Sequence, residues 1–217
     1  WLPDAHPSAP APISAMLSGV FIKTMGIYSL VRIFFNIIGS TQDYLAVLKF
    51  LGAISMLVAV VLAMSQWDLK RLLAYSSISQ IGYVVLGIGL GTPLGILGGL
   101  FHLFNHSVFK SLLFLNSGAV DYSAGTRDLK EISGLAKVMP VTGKTNLIAS
   151  MSIAGIPPFS GFFSKLIIII ACIQKGHFGY GLCAVIGSIL TLVTFMKVQK
   201  YIFSGEVEDR LKGIKEA

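Results

Sequence analysis

The chain has 217 residues, 54% of them hydrophobic and 12% charged, with a mean hydropathy of +0.77. A soluble domain carries about 25% charged residues, so this composition excludes an ordinary soluble protein and indicates a polytopic membrane protein whose solvent is mostly lipid. The formal net charge of +7 would suit nucleic acid in a soluble protein, but here the positive residues gather in particular loops, as the positive-inside rule requires, and nucleic acid is excluded as a partner on that ground.

A membrane crossing takes about 20 apolar residues in a helix. By that measure there are about six spans, at 14–37, 44–65, 72–90, 94–120, 146–173 and 180–203. The expected fold class is therefore all-α, a polytopic membrane helix bundle of about six transmembrane helices, one of them discontinuous. Turn chemistry fills the connections: Gly39-Ser40, Trp67-Asp68, Gly91-Thr92-Pro93, the polar loop 121–144 and Lys175-Gly176-His177. No linker rich in Pro, Ser or charge divides the chain, so 1–217 reads as a single transmembrane domain in contact with lipid. It opens on Trp1, with neither a methionine nor a basic stretch followed by an apolar one. That resembles neither a signal peptide nor a native start, and a longer protein is expected.

The first span holds Lys23 about nine residues from one end and fourteen from the other. At about 1.5 Å per residue its ammonium lies beyond snorkelling reach of either interface. A lysine there can give up its proton, or hold it with help from a carboxylate or water, which makes it a proton-binding station. The alternative is a structural lysine satisfied by backbone carbonyls at a helix break. The second span is plain apart from Lys49 near its loop. The third opens with Asp68, Lys70 and Arg71 as interfacial anchors and then carries Ser76, Ser77, Ser79 and Gln80 into the membrane. Such side chains bridge helices or coordinate water.

Glycines 87, 91, 95 and 99 keep a four-residue spacing into the fourth span, a close-packing signal that the Thr92-Pro93 turn interrupts. Within that span His102, His106 and Lys110 share one helical face. Two histidines so spaced can relay protons, make structural hydrogen bonds or bind a metal. No third Cys, Asp or Glu ligand is near, and Lys110 repels a cation, so relay is favoured and no metal is expected. Asn105 and Asn116 add polarity that can hold water. The fifth span is broken by Pro157 and Pro158, which remove backbone donors. Breaks of this kind are tolerated in protein or along a cavity, and transporters place ion sites at them. Lys165 follows about two turns later. Cys172 and Cys183 form no CxxC motif, so no haem, iron–sulfur cluster or other cofactor is expected in this chain. No nucleophile–base pair marks a catalytic centre.

If the spans alternate, Lys70, Arg71, Arg127, Lys130, Lys137, Lys144, Lys200, Arg210, Lys212 and Lys215 share one side, against Lys49, Lys175 and Arg32 on the other. The first side, with Trp1, the 121–144 loop and the C-terminus, is expected to be cytoplasmic in a prokaryotic inner or plasma membrane.

Several motifs in order resemble one family over nearly the whole chain. They are Trp1-Leu-Pro-Asp-Ala-His6 with Ala9-Pro10, Ser18-Gly-Val-Phe-Ile-Lys23, Tyr28, Asp68-Leu-Lys-Arg-Leu-Leu-Ala-Tyr-Ser-Ser77, Phe101-His-Leu-Phe-Asn-His-Ser-Val-Phe-Lys110, Arg127-Asp-Leu and Ile156-Pro-Pro-Phe-Ser-Gly-Phe-Phe-Ser-Lys165. The family is the antiporter-like membrane subunit shared by respiratory complex I, Mrp-type sodium/proton antiporters and membrane-bound energy-converting hydrogenases. The resemblance implies that Lys23 corresponds to the lysine of the family's eighth helix, which links two half-channels. It likewise implies that His106 is the relay histidine of the eleventh helix, with His102 and Lys110 as companions, and that Lys165 ends the path at the broken twelfth helix. Some branches use glutamate there, and Gln80 stands where some have histidine. The family has two inverted five-helix repeats. Here the second, 44–203, is complete, and the first keeps only its last helix, without the fifth-helix glutamate and seventh-helix lysine. A partial record of a longer subunit, or a split subunit completed by a partner, would account for this.

By this resemblance the chain is a proton- or sodium-translocating subunit of a redox-driven membrane complex, such as a membrane-bound hydrogenase or complex I-like oxidoreductase. Its partners are other membrane subunits, antiporter-like homologues among them, which would carry any redox centre. A subunit of a stand-alone Mrp-type antiporter and a non-conducting membrane scaffold are the alternatives.

Overall fold

The computed structural model describes residues 1–207, 211, 213 and 216. Arg210, Lys212 and Lys215, counted above toward the charged side, lie outside the described residues. The helices are α1 Leu2–Ser8, α2 Ala11–Met16, α3 Ile22–Val31, α4 Gln42–Ser65, α5 Leu69–Gly89, α6 Pro93–Ala124, α7 Leu135–Val138, α8 Pro140–Ala154, α9 Ser160–Gln174 and α10 Phe178–Val198. π-helical turns at Leu17–Phe21, Arg32–Ile37 and Gln199–Phe203 continue α2, α3 and α10. Among the described residues β-pairing is limited to one isolated bridge between Asp68 and Asp128.

Among the described residues four helical segments are long and apolar enough to cross a membrane: Ala11–Ile37, Gln42–Ser65, Leu69–Gly89 and Phe178–Phe203. The fourth expected span is the 32-residue α6, and the fifth is the pair α8 and α9 on either side of the proline break. The 121–144 segment is less of a loop than its polarity suggested. The α6 helix runs on to Ala124 and stops at Gly125, whose φ of 69° is left-handed, a terminus glycine adopts without Cβ strain. Pro140 then starts α8, and α7 lies between.

The α5 helix is the hub. Of its apolar stretch 78% is buried, against 11% for Ala11–Ile37. Asp68 caps its start, accepting from the Arg71 amide at 2.8 Å and lying 3.5 Å from the Arg127 guanidinium. Glycines let neighbours approach closely: a Cβ on Gly82 would sit 2.6 Å from the Gly52 carbonyl of α4, and one on Gly87 2.8 Å from the Gly95 carbonyl of α6.

The α6 helix is inside-out by the standards of a soluble protein. Leu97, Leu100, Phe104 and Val108 face outward, with Phe104 68% exposed, while His102, His106 and Lys110 on the other face are completely buried. In water that arrangement would expose apolar surface and desolvate cations together. In lipid it is the favourable one.

Candidate functional site

The polar residues of α5 and α6 meet where α3 and the broken α8–α9 pair pack against them. Ser76 and Ser77 each donate back to the Leu73 carbonyl, at 3.0 and 2.9 Å, the usual alternative partner for serine inside a helix. The Lys110 ammonium donates to the same carbonyl at 2.8 Å and to Ser76 Oγ at 2.6 Å.

A second lysine reaches this node. Lys23 follows the π-helical turn that contains Ser18, and its ammonium donates to the Ser18 carbonyl at 2.9 Å and to Ser18 Oγ at 2.6 Å. Ser18 Oγ lies 3.1 Å from Ser77 Oγ. Because the Ser77 proton points to Leu73, Ser18 donates to Ser77, and the bonds run in one sense from Lys23 through Ser18 and Ser77 to Leu73. Lys110 thus donates to the Leu73 carbonyl directly, and Lys23 is linked to it through the Ser18 and Ser77 hydroxyls. The carbonyl contact expected of a structural lysine is present at Lys23, together with this link to Lys110.

His102 makes the other half of the array. Its Nε2 lies 3.2 Å from Gln80 Oε1 and its Nδ1 2.9 Å from Ser164 Oγ. An amide oxygen only accepts, so Nε2 carries a hydrogen. Ser164 Oγ also lies 3.1 Å from the Gly161 carbonyl. Turning one hydroxyl hydrogen from Nδ1 to Gly161 readies His102 for a second proton. The Gln80 amide is anchored at its nitrogen by Thr191 Oγ1 at 3.4 Å.

His106 lies between the two halves, fully buried, and neither ring nitrogen finds a partner among the described residues. It is within electrostatic reach of Lys23, Lys110 and His102. A buried polar group left without a partner costs about 1–3 kcal/mol, a cost most often retained at functional positions.

Lys165 turns back from α9 to the helix break, donating to the Ile153 and Ala154 carbonyls at 2.7 and 3.4 Å. These are last-turn carbonyls of α8, unpaired within the helix because the chain turns at Gly155 ahead of Pro157 and Pro158, and they form the negative end of its dipole. The same ammonium lies 4.8 Å from the centre of the Tyr83 ring, which is itself 5.5 Å from the His102 ring. A cavity of about 210 Å³ between α9 and α10 touches Lys165, and an apolar one of about 420 Å³ touches Lys23.

Lys23, Ser76 and Lys110 therefore form one network, and Gln80, His102 and Lys165 a second around Tyr83, with His106 between. Ser79 lies apart, donating to the Met56 carbonyl of α4 at 2.8 Å, and Asn105 ties α6 to the Ser160 carbonyl at 3.1 Å. Among the described residues none of Lys23, Lys110 and Lys165 has an ion pair with a carboxylate, and no cluster of three metal-ligating side chains occurs. Sequence reasoning passed over Ser18, Ser164, Tyr83 and Thr191. Ser18 and Ser164 stand one turn before and directly before the two lysines, a signal that was available. It also passed over His6, which is 1% exposed with both ring nitrogens unpartnered.

Residues 1–192 match the transmembrane family described as "NADH:quinone oxidoreductase/Mrp antiporter, TM". NADH-quinone oxidoreductase subunit N of Desulforudis audaxviator is 37% identical over 201 residues, 91% of this chain and 40% of that protein. The chain thus spans about two fifths of that relative. Among solved structures, the Mrp complex from Dietzia sp. DQ12-45-1b contains a similar chain with TM-score 0.92 and 39% identity, covering 96% of this chain and 39% of that one. The membrane-bound sulfane sulfur reductase, an archaeal respiratory membrane complex, contains another with TM-score 0.91 and 34% identity, covering 100% and 38%.

Proposed function

This chain belongs to the NADH:quinone oxidoreductase/Mrp antiporter transmembrane family, and from that premise we propose that it translocates protons, or sodium, as a subunit of a redox-driven membrane complex. The path runs through Lys23, Lys110, His106, His102 and Lys165. The observation that carries this reading is the row formed by Lys23, Lys110 and Lys165, buried and held by carbonyls and hydroxyls, with no carboxylate partner for them and none of any kind for the His106 ring nitrogens between them among the described residues. Charge on one lysine raises the cost of charge on the next, so a proton gained at one station favours release at its neighbour. The step is electrostatic and needs no cofactor in this chain.

In this reading the chain crosses the membrane about six times as one domain. Residues 44–203 are the second five-helix repeat, and the end carrying Lys70, Arg71 and Arg127 is cytoplasmic. Other membrane subunits supply redox centres. A second reading, a subunit of a sodium/proton antiporter, draws on the likeness to the Dietzia Mrp complex.

The test is ion movement by the intact complex in sealed vesicles, with pH and sodium indicators, in wild type and Lys165→Ala. Pumping that starts on addition of an electron donor supports the redox-driven complex, whereas exchange driven by an imposed sodium gradient supports the antiporter. Loss of either in an assembled Lys165→Ala complex is expected. Full transport by that variant would leave the scaffold reading standing.

A further inference from the structure

Tyr83 is a fully buried residue of α5 that the path described so far leaves out. Among the described residues no hydrogen bond joins His102 to Lys165: the His102 ring nitrogens meet Gln80 and Ser164, and the Lys165 ammonium donates to the Ile153 and Ala154 carbonyls. The two stations share the Tyr83 ring instead. The ammonium stands over it, 4.8 Å from its centre, and the His102 ring centre is 5.5 Å away. A hydroxyl anchor fixes that ring. The Tyr83 hydroxyl donates to the Ala184 carbonyl of α10 at 2.7 Å and, with its one hydrogen so used, accepts from Ser188 Oγ at 3.0 Å. Gly187 leaves room for it, because a Cβ there would lie 2.7 Å from the hydroxyl oxygen. The hydroxyl is therefore committed to α10, and the aromatic ring is what meets the two stations.

We infer that Tyr83 is a positioning residue whose aromatic face stabilises the ammonium of Lys165 and thereby sets how readily a proton passes from His102 to Lys165. The inference rests on the translocation reading above. Lys165 has no carboxylate partner among the described residues, so its charge is met by dipoles: the carbonyls that end α8 and the quadrupole of the Tyr83 ring. An ammonium shielded from water gains more from an aromatic face than an exposed one does. In the transfer the imidazolium loses the proton that the amine gains, so the charge moves without changing in sum. Tyr83 carries no proton itself, since the hydrogen of its hydroxyl stays on the Ala184 carbonyl.

The test places phenylalanine and its mono-, di- and trifluorinated forms at position 83 of the intact complex and follows proton translocation in sealed vesicles. Fluorine draws electron density from the ring face and leaves the shape nearly unchanged, so a packing role is blind to the series and a cation–π role is not. Tyr83→Phe keeps the face and should run within about twofold of wild type. Rates should then fall with each fluorine, by about tenfold at the trifluorinated ring. Equal rates across an assembled series would overturn the inference. If Tyr83→Phe fails to assemble, a ring-difluorinated tyrosine, which keeps the hydroxyl, is compared with wild type instead, and an unchanged rate there would overturn it equally. Lys165→Ala run alongside keeps the two ideas separable: an inactive Lys165→Ala beside a flat fluorine series sinks only the role of Tyr83, while an active Lys165→Ala sinks the translocation reading itself.

Discussion

The Leu73 carbonyl takes side-chain donors from Ser76, Ser77 and Lys110, and Ser77 is linked in turn through Ser18 to the Lys23 ammonium. A carbonyl with two lone pairs is oversubscribed by this set, so Lys110 competes for it with the serines, and neutralising Lys110 leaves it to Ser77, which is hydrogen-bonded to Ser18 beside Lys23. Ser77→Ala cuts the link while leaving both lysines other acceptors. One hydrogen bond of this kind is worth about 1 kcal/mol, so translocation should slow about fivefold with assembly unchanged. Ser79→Ala, whose hydroxyl serves the Met56 carbonyl instead, should leave the rate as it is. Equal rates for both variants would mean the Ser18–Ser77 bridge is packing alone. A pH dependence follows from His6. Its pKa is about 4 when folded and 6.5 when free, so between these values the unfolded chain binds the proton that the folded one refuses. Stability is therefore full above about pH 6.5 and falls as pH drops toward 4. Thermal unfolding of the wild type over that window should show the fall, and His6→Phe should flatten it.

At the scale of elements, close backbone approach decides what the bundle tolerates. A methyl group on Gly82 would press on the Gly52 carbonyl and on the Met56 amide, each 2.6 Å away, whereas one on Gly26 meets nothing within 4 Å. Gly82→Ala should cost about 1–3 kcal/mol through separation of α4 from α5, and Gly26→Ala should cost nothing. Thermal denaturation of the detergent-solubilised protein compares them. The same scale explains which parts of the site were legible beforehand. Lys23, His102, His106, Lys110 and Lys165 stood out because an ionisable group inside an apolar run is costly, and the break before Lys165 because proline cannot donate. The Leu73 node did not, since any helical leucine has a carbonyl and only the tertiary approach of Lys110 makes this one special. The π-helical turn that delivers Ser18 to Lys23 has no proline or glycine pair to announce it. The α6 terminus was placed early because Asp121 and Tyr122 read as loop, though the helix ends only where Gly125 turns left-handed. His6 was overlooked because a seven-residue, proline-containing helix reads as a surface connection, and its burial depends on α5 and α6 closing over it.

For the whole molecule, paired charges gather at the two ends of the bundle. One end collects Asp4 with Arg71, Lys70 with Asp121, Asp68 with Arg127, and Lys130 and Lys197 over the Trp67 ring. The other holds Lys49 and His177, 2.9 Å apart, with Lys175 near them. Between the ends, cations are buried and leucine, valine and phenylalanine point outward, which only a lipid surround makes favourable. If the chain crosses as proposed, the C-terminal end of α6 and the N-terminal end of α10 must lie on opposite sides of the membrane. Tyr122, 86% exposed, and Phe178, 67% exposed, mark those ends. Each can be replaced by cysteine in a background with Cys172 and Cys183 changed to serine, then challenged with a membrane-impermeant maleimide in right-side-out vesicles. Phe178→Cys should react at once and Tyr122→Cys only after permeabilisation. The reverse pattern would keep the bundle but invert its orientation, placing the Asp121–Lys70 pair on the outer side. Reaction of both from one side would break the alternation of helices on which the proposed path from Lys23 to Lys165 depends.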